Sequence, residues 1–353
     1  MGNSQNATGS LATALLLALG LTACSQTDGP SEFNPDGVAA DLTTAQTAFD
    51  SPVSASFGAS GGDIAATLGP AAPVVLSPGP AMLRPASAER YARSLARLLP
   101  KANGLNASVA AIPAEVLGKT FMWDVDTDAY VASDLSGAPA RGVRFLLYAV
   151  NPVTGLPVEP LDELGYVDVT DASSGATYAM RILVYADGVS YFDYTVRGTG
   201  TSTSGALTVE GFASDGVNRV NFSLQNTIAQ SGNGMVLTLD YSLSIPSRGL
   251  GLNYTATFGN ITPEQVAVTL DFNVSGRNGD VRLSGTYGAS GGSFSVRVNG
   301  VVFATVTIGD GDPVITSATG TALTPQEEES LRTILDFYDG SLRVFHDLLA
   351  PAG

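Results

Sequence analysis

From about residue 119 to about residue 318 the chain returns again and again to one pattern, an apolar residue at every second position. The clearest run is Met235–Ile245, in which Met235, Leu237, Leu239, Tyr241, Leu243 and Ile245 alternate with Val236, Thr238, Asp240, Ser242 and Ser244. A period of two puts the first set on one face of an extended strand and the mostly polar second set on the other. Comparable runs occupy Arg144–Val150, Ala179–Val196, Arg219–Ile228, Leu252–Phe258, Val266–Val274, Val281–Tyr287, Phe294–Val298 and Val301–Ile308. Between them stand turn signals such as Asp187-Gly188, Asn278-Gly279 and Asn299-Gly300, dipeptides that favour tight hairpins. The expectation is a mainly β fold of about 13–15 strands, with sequential neighbours paired antiparallel in a meander.

Some fourteen strands spaced ~4.8 Å apart would make a flat sheet about 60 Å wide. One helix is only ~10 Å across and cannot cover its apolar face. The sheet is therefore expected to be a single large curved sheet or barrel, packed with a C-terminal amphipathic helix over 323–350. That helix has a strong start, because Thr324 can cap, Pro325 suits the first helical position and Glu327 completes a capping box. Leu331, Ile334, Leu335, Tyr338, Leu342, Phe345, Leu348 and Leu349 then follow helical spacing.

The charge balance narrows the function. The chain carries 33 acidic and 17 basic residues, a formal charge of −16, and an acidic surface repels phosphate backbones, so no nucleic-acid partner is expected. A single cysteine, Cys24, and a single histidine, His346, leave no material for an internal disulfide, a CxxC site or a multi-histidine metal site. No cofactor and no metal are expected.

The amino terminus carries the one recognisable address. Leu11–Leu21 is an apolar run of signal-peptide length, too short to span a bilayer unaided, and it leads into Leu21-Thr22-Ala23-Cys24. These residues resemble the lipobox of bacterial lipoprotein precursors. The resemblance covers residues 1–25 and implies a signal peptide over 1–23, cleavage before Cys24 and lipidation of its sulfur. It also implies an outer-membrane destination, since Ser25 rather than Asp follows the cysteine. Two or three acyl chains at ~0.8 kcal/mol per buried methylene make a stable anchor. The segment before the run, residues 1–10, departs from the family in containing no Lys or Arg.

Residues 24–85, rich in Ser, Thr, Ala, Gly and Pro, read as a lipidated flexible tether. A basic amphipathic helix and connector are expected over 86–118. Tyr91, Leu95, Leu98 and Leu99 share one face there, with Arg84, Arg90, Arg93, Arg97 and Lys101 around them. The antiparallel β domain then takes 119–318.

Several motifs imitate functional sites. Asp124, Asp126 and Asp128 open like an EF-hand loop, but Ala129 stands where glycine is required and Leu135 where the bidentate Glu belongs; an Asp-rich turn accounts for them. Gly58-Ala-Ser60-Gly-Gly62 and Gly288-Ala-Ser290-Gly-Gly292 match G-x-S-x-G. A nucleophile elbow also needs a strand before, a helix after and a histidine within reach, so both read as glycine turns, the earlier one within the tether. Tyr178, Tyr185, Tyr191 and Tyr194 cluster and are expected to pair across strands. Asp310 and Asp312 read as a strand-end turn and His346 as a structural residue of the closing helix.

No catalytic residue is assigned and the chain is expected not to be an enzyme. The reading is a cell-envelope lipoprotein, held to the membrane by its lipid anchor. It would bind an apolar ligand or a protein partner through the curved sheet, with the domain on the periplasmic or surface face of the outer membrane. At the level of fold alone, this resembles the lipoprotein-carrier proteins, half-barrels closed by helices over a hydrophobic cavity. Alternatives are a structural or interaction protein with a fully packed core, an outer-membrane β-barrel with its apolar face toward lipid, and a hydrolase using paired carboxylates.

Overall fold

A computed structural model describes residues 51–68 and 112–329, apart from 176, 202, 233, 262–266, 289 and 310–312, together with scattered positions from 34 to 49 and residues 331, 332 and 335. A helix, α1 (Pro52–Leu68), precedes the strands. The first six strands are β1 (Thr120–Asp124), β2 (Ala129–Ser133), β3 (Gly142–Tyr148), β4 (Glu163–Asp171), β5 (Tyr178–Ala186) and β6 (Val189–Gly200). Next come β7 (Ser204–Ser214), β8 (Arg219–Ser231), β9 (Gly234–Ile245), β10 (Leu250–Ile261) and β11 (Ala267–Ser275). The last four are β12 (Val281–Gly288), β13 (Gly291–Val298), β14 (Val301–Ile308) and β15 (Val314–Ser317).

All 15 strands form one sheet, in sequence order from β15 down to β3, then β1, then β2. The expected alternation holds where it was clearest: Leu237, Leu239, Tyr241, Leu243 and Ile245 are all buried, and their polar neighbours lie on the opposite, wetter face. Tight hairpins set the register. Asp187 and Gly188 both have positive φ (51° and 81°), as do Asn299 and Gly300 (48° and 84°). This is the type I′ geometry whose twist matches paired strands.

Of the two forms expected, sheet or barrel, the open one is found: the sheet does not close, and β15 and β2 are its edges. Nor is it wholly antiparallel, because β1 pairs with β3 in parallel, Thr120 beside Arg144 and Phe121 beside Phe145. The β1–β2 hairpin is followed by residues 134–141, long enough to carry the chain past the end of β1 and deliver β3 on its far side. Tight turns force antiparallel neighbours; this longer connection does not.

The largest departure from expectation is α1, which lies inside the stretch read as a flexible tether. Its start is well specified. Ser51 is the cap, its Oγ accepting from the Ser54 amide at 3.0 Å, and Pro52 takes the first helical position, where no amide hydrogen is needed. Val53, Phe57, Ile64 and Leu68 are buried along one face, with Ser56, Ser60 and Gly61 between them. That face joins one continuous core with the inward side chains of β1 and of β3 through β14. The Phe57 ring lies 5.5 Å from that of Phe192 on β6. Small residues at 56, 60 and 61 let the helix backbone approach the strands closely. The earlier G-x-S-x-G match therefore falls within a helix, where Ser60 Oγ donates to the Phe57 carbonyl at 2.8 Å. The later match falls at the β12–β13 hairpin.

Upstream of α1, Asp41 is buried at 6% exposure. It receives Arg248 Nη1 at 3.0 Å and Asn278 Nδ2 at 2.8 Å, which ties this region to the β9–β10 and β11–β12 turns. At the far end, the capping box forms as expected. The Thr324 amide donates to Glu327 Oε2 at 2.7 Å, and the Glu327 amide to Thr324 Oγ1 at 3.2 Å. Residues 325–329 are helical and Leu331 is buried in the core. Leu335 packs against that core as well; beyond it the expected C-terminal helix, with His346, lies outside the described residues, as do Cys24, the basic helix around Arg90, Asp310 and Asp312.

Candidate functional site

One polar-rimmed cleft opens where α1 meets the β1–β2 end of the sheet. Ser56, Ala59, Ser60 and Asp63 recur at helical spacing and form its floor. Trp123 on β1 and Tyr130 on β2 stand opposite, and Val150, Gly155, Leu156 and Pro157 make the third wall. The free space is about 50 Å³, a third of the ~150 Å³ that an apolar cavity needs to hold benzene. An acyl chain does not fit; a head group of a few atoms does.

The walls are held by bonds of their own. Tyr130 donates its hydroxyl to the Leu146 carbonyl at 2.7 Å, and its ring meets Trp123 edge-on at 5.5 Å. Asn151 folds the 151–156 turn, accepting from the Val153 amide through Oδ1 at 2.9 Å. The Asn151 amide in turn donates to the Leu156 carbonyl at 2.9 Å. Two polar groups in the cleft stand out among the described residues. Ser56 is 2% exposed and its Oγ has no hydrogen bond. Asp63 makes no ion pair among the described residues, and burial raises its carboxyl above the ordinary Asp value. Burial, then Tyr148, then the Asp63 charge push the Tyr130 phenol well above its usual range, so that carboxylate and that ring share one electrostatic environment.

Of the residues singled out from sequence, Ser60 reaches the cleft; the others that the structure describes do not. Asp124 caps its own hairpin, its carboxylate accepting from the Asp126 amide at 3.3 Å and from Thr127 Oγ1 at 2.7 Å. No group of three metal-ligating side chains occurs among the described residues. Tyr178 and Tyr194 are buried in the core, and Tyr185 pairs across strands with Tyr166, ring centres 5.4 Å apart. The sequence analysis missed the cleft because its floor was assigned to the tether. The signal available was Ser51-Pro52 followed by Val53, Phe57, Ile64 and Leu68 at helical intervals.

On the face opposite the core, carboxylates are matched with arginines across strands. Arg144 grips Asp168 through Nε and Nη2 at 2.7 and 2.8 Å, with its guanidinium 3.6 Å from the Tyr166 ring centre. Arg181 holds Asp193 in the same two-pronged way at 2.8 Å. Arg197 pairs with Glu210 at 2.7 Å, and Arg282 with Asp271. These acids are already neutralised by partners, the opposite of a free pair poised for acid–base work.

Together these features define a class of architecture: an open, almost wholly antiparallel meander whose inward side chains form one core, with α1 packed against it chiefly beside β3 and β4. Comparison of the chain with protein-family models, characterised proteins and solved structures finds no match.

Proposed function

We propose that this chain is a cell-envelope lipoprotein, anchored through Cys24, that works without catalysis by presenting a rigid, curved β surface to a protein partner. The observation that carries the reading is the continuous core. Inward side chains from β3 to β14 are buried in one cluster with α1, so the apolar face is occupied by the protein's own packing rather than held open for a ligand. An outer-membrane barrel would need the reverse, an apolar face turned to lipid and no free edges.

The arginine–carboxylate pairs stiffen the outer face. Exposed apolar side chains gather at the β2 end, where Val125, Val131, Leu135, Leu156 and Val158 are accessible and Val153 is 91% exposed. Exposed apolar surface, where it is contiguous, marks contact sites for other proteins. Glycines within the strands would allow the proposed surface to curve. At Gly211 a Cβ would lie 2.2 Å from the Asp193 carbonyl oxygen, and at Gly285 2.2 Å from that of Ser293. Such positions are where strands bend.

The test is native mass spectrometry of the protein extracted in mild detergent. The expected mass is that of the lipidated chain alone. A stoichiometric apolar molecule bound in addition would overturn the packed-core reading in favour of a carrier. Replacing Cys24 with Ser is expected to release the protein from membranes, and continued membrane attachment would remove the anchor from the proposal.

A further inference from the structure

We propose that the cleft between α1 and the β1–β2 hairpin binds the ammonium head of a small alkylamine, with Asp63, Ser56 and Ser60 as its hydrogen-bond acceptors and Trp123 and Tyr130 as its aromatic walls. This goes beyond the partner-binding reading above and does not depend on it.

The argument starts from what the cleft lacks. A carboxylate with no ion pair and a buried hydroxyl with no hydrogen bond among the described residues both line the same small space. Leaving a buried polar group unsatisfied costs about 1–3 kcal/mol, and the Ser56 hydroxyl bears that cost beside a half-buried carboxylate, a pairing that a donor-rich ligand would relieve. An ammonium carries three N–H donors and no acceptor. Three acceptor oxygens belong to residues that line the cleft: the Asp63 carboxylate, Ser56 Oγ, and Ser60 Oγ, whose hydrogen is already given to Phe57. Two aromatic rings 5.5 Å apart add the attraction of a cation to π-electron density.

Other occupants fit less well. A hard cation such as calcium takes 6–8 oxygen ligands, and aromatic walls supply none. An anion would meet Asp63. A neutral alcohol leaves the carboxylate uncompensated. The volume of about 50 Å³ admits the head and the first carbons, with the remainder of the ligand directed to solvent.

The structure supplies its own reporter, because Trp123 is the only tryptophan in the chain. The full-length protein in non-ionic detergent is titrated with n-butylammonium, and tryptophan emission is followed at an excitation where tyrosine is silent. A saturable change is expected, with a dissociation constant on the order of 1 mM. 1-Butanol over the same range is expected to give none. Asp63→Asn should weaken binding by at least about tenfold, and Ser56→Ala by several-fold, each with the thermal transition retained. A non-saturating response, an equal response to butanol, or unchanged binding in a folded Asp63→Asn protein would overturn the proposal. Competition by glycerophosphoethanolamine would assign the physiological ligand to a lipid head group. Binding of butylammonium without that competition would assign it to a free amine.

Discussion

Replacing Phe57 with alanine asks whether α1 belongs to the cooperative core. The ring is 3% exposed, seated on Phe192 at 5.5 Å and enclosed in the main cluster. An aromatic side chain buries about 150–250 Å², which at ~25 cal/mol per Å² corresponds to roughly 4–6 kcal/mol as an upper bound. Measured Phe→Ala losses in cores run about 3–5 kcal/mol, the cavity included, and we adopt that range. For a domain of some 150–250 residues each kcal/mol moves the midpoint by about 2–4 °C, so thermal denaturation followed by circular dichroism should show a fall of roughly 6–20 °C. The control is Gly58→Ala, one residue along the helix. Gly58 is exposed and a Cβ there meets nothing within 4 Å, so better helix propensity should stabilise by about 0.5–1 kcal/mol. Were Phe57→Ala to unfold within about 0.5 kcal/mol of the parent, the ordinary range for a surface change, the helix would be an appendage and the packed-core argument would fail.

Gly211→Ala should cost at least about 1–3 kcal/mol. Its Cβ would stand 2.2 Å from the Asp193 carbonyl oxygen and 2.5 Å from Tyr194 Cα, backbone atoms that cannot swing aside; chemical denaturation measures it. Arg144→Ala, which strands Asp168 with both side chains less than a fifth exposed, should cost about 3–5 kcal/mol. Arg197→Ala, at a pair half open to water, should cost no more than about 1 kcal/mol; equal losses would contradict the burial argument. Asp63 has a raised pKa from burial, so its ionised form opposes folding above that pKa. Asp63→Asn should therefore melt higher than the parent near neutral pH, with the gap closing as pH falls through the folded pKa. Asp215 behaves oppositely. Burial pushes its carboxyl up, but the Asn218 backbone and side chain and the Val217 amide outweigh this and hold it below the usual value. Its contribution is present above the unfolded pKa of ~3.9 and lost as pH falls through the folded one, so Asp215→Asn should destabilise at neutral pH and be neutral in strong acid.

The strands and their turns were legible in the residues themselves because each rests on local rules. Alternation in Met235–Ile245 fixes which side chains share a face, and Asp187-Gly188 and Asn299-Gly300 admit the positive φ that a two-residue hairpin demands. The capping box at Thr324 and Glu327 is equally local. By contrast, α1 sets its alanines among many Gly and Ser residues, a composition that argues for a tether; its stability comes from the sheet it lies on. Strand order at β1 depended on how far residues 134–141 reach, and whether the sheet closed depended on how its two edges lie in space. The cleft is the clearest case. Ser56, Ser60 and Asp63 are separated in sequence from Trp123 and Tyr130 by more than fifty residues, and no periodicity in either segment announces the other. Pattern along a chain is set by backbone geometry over a few residues, whereas a site is set by which surfaces exclude water together, and only packing decides that.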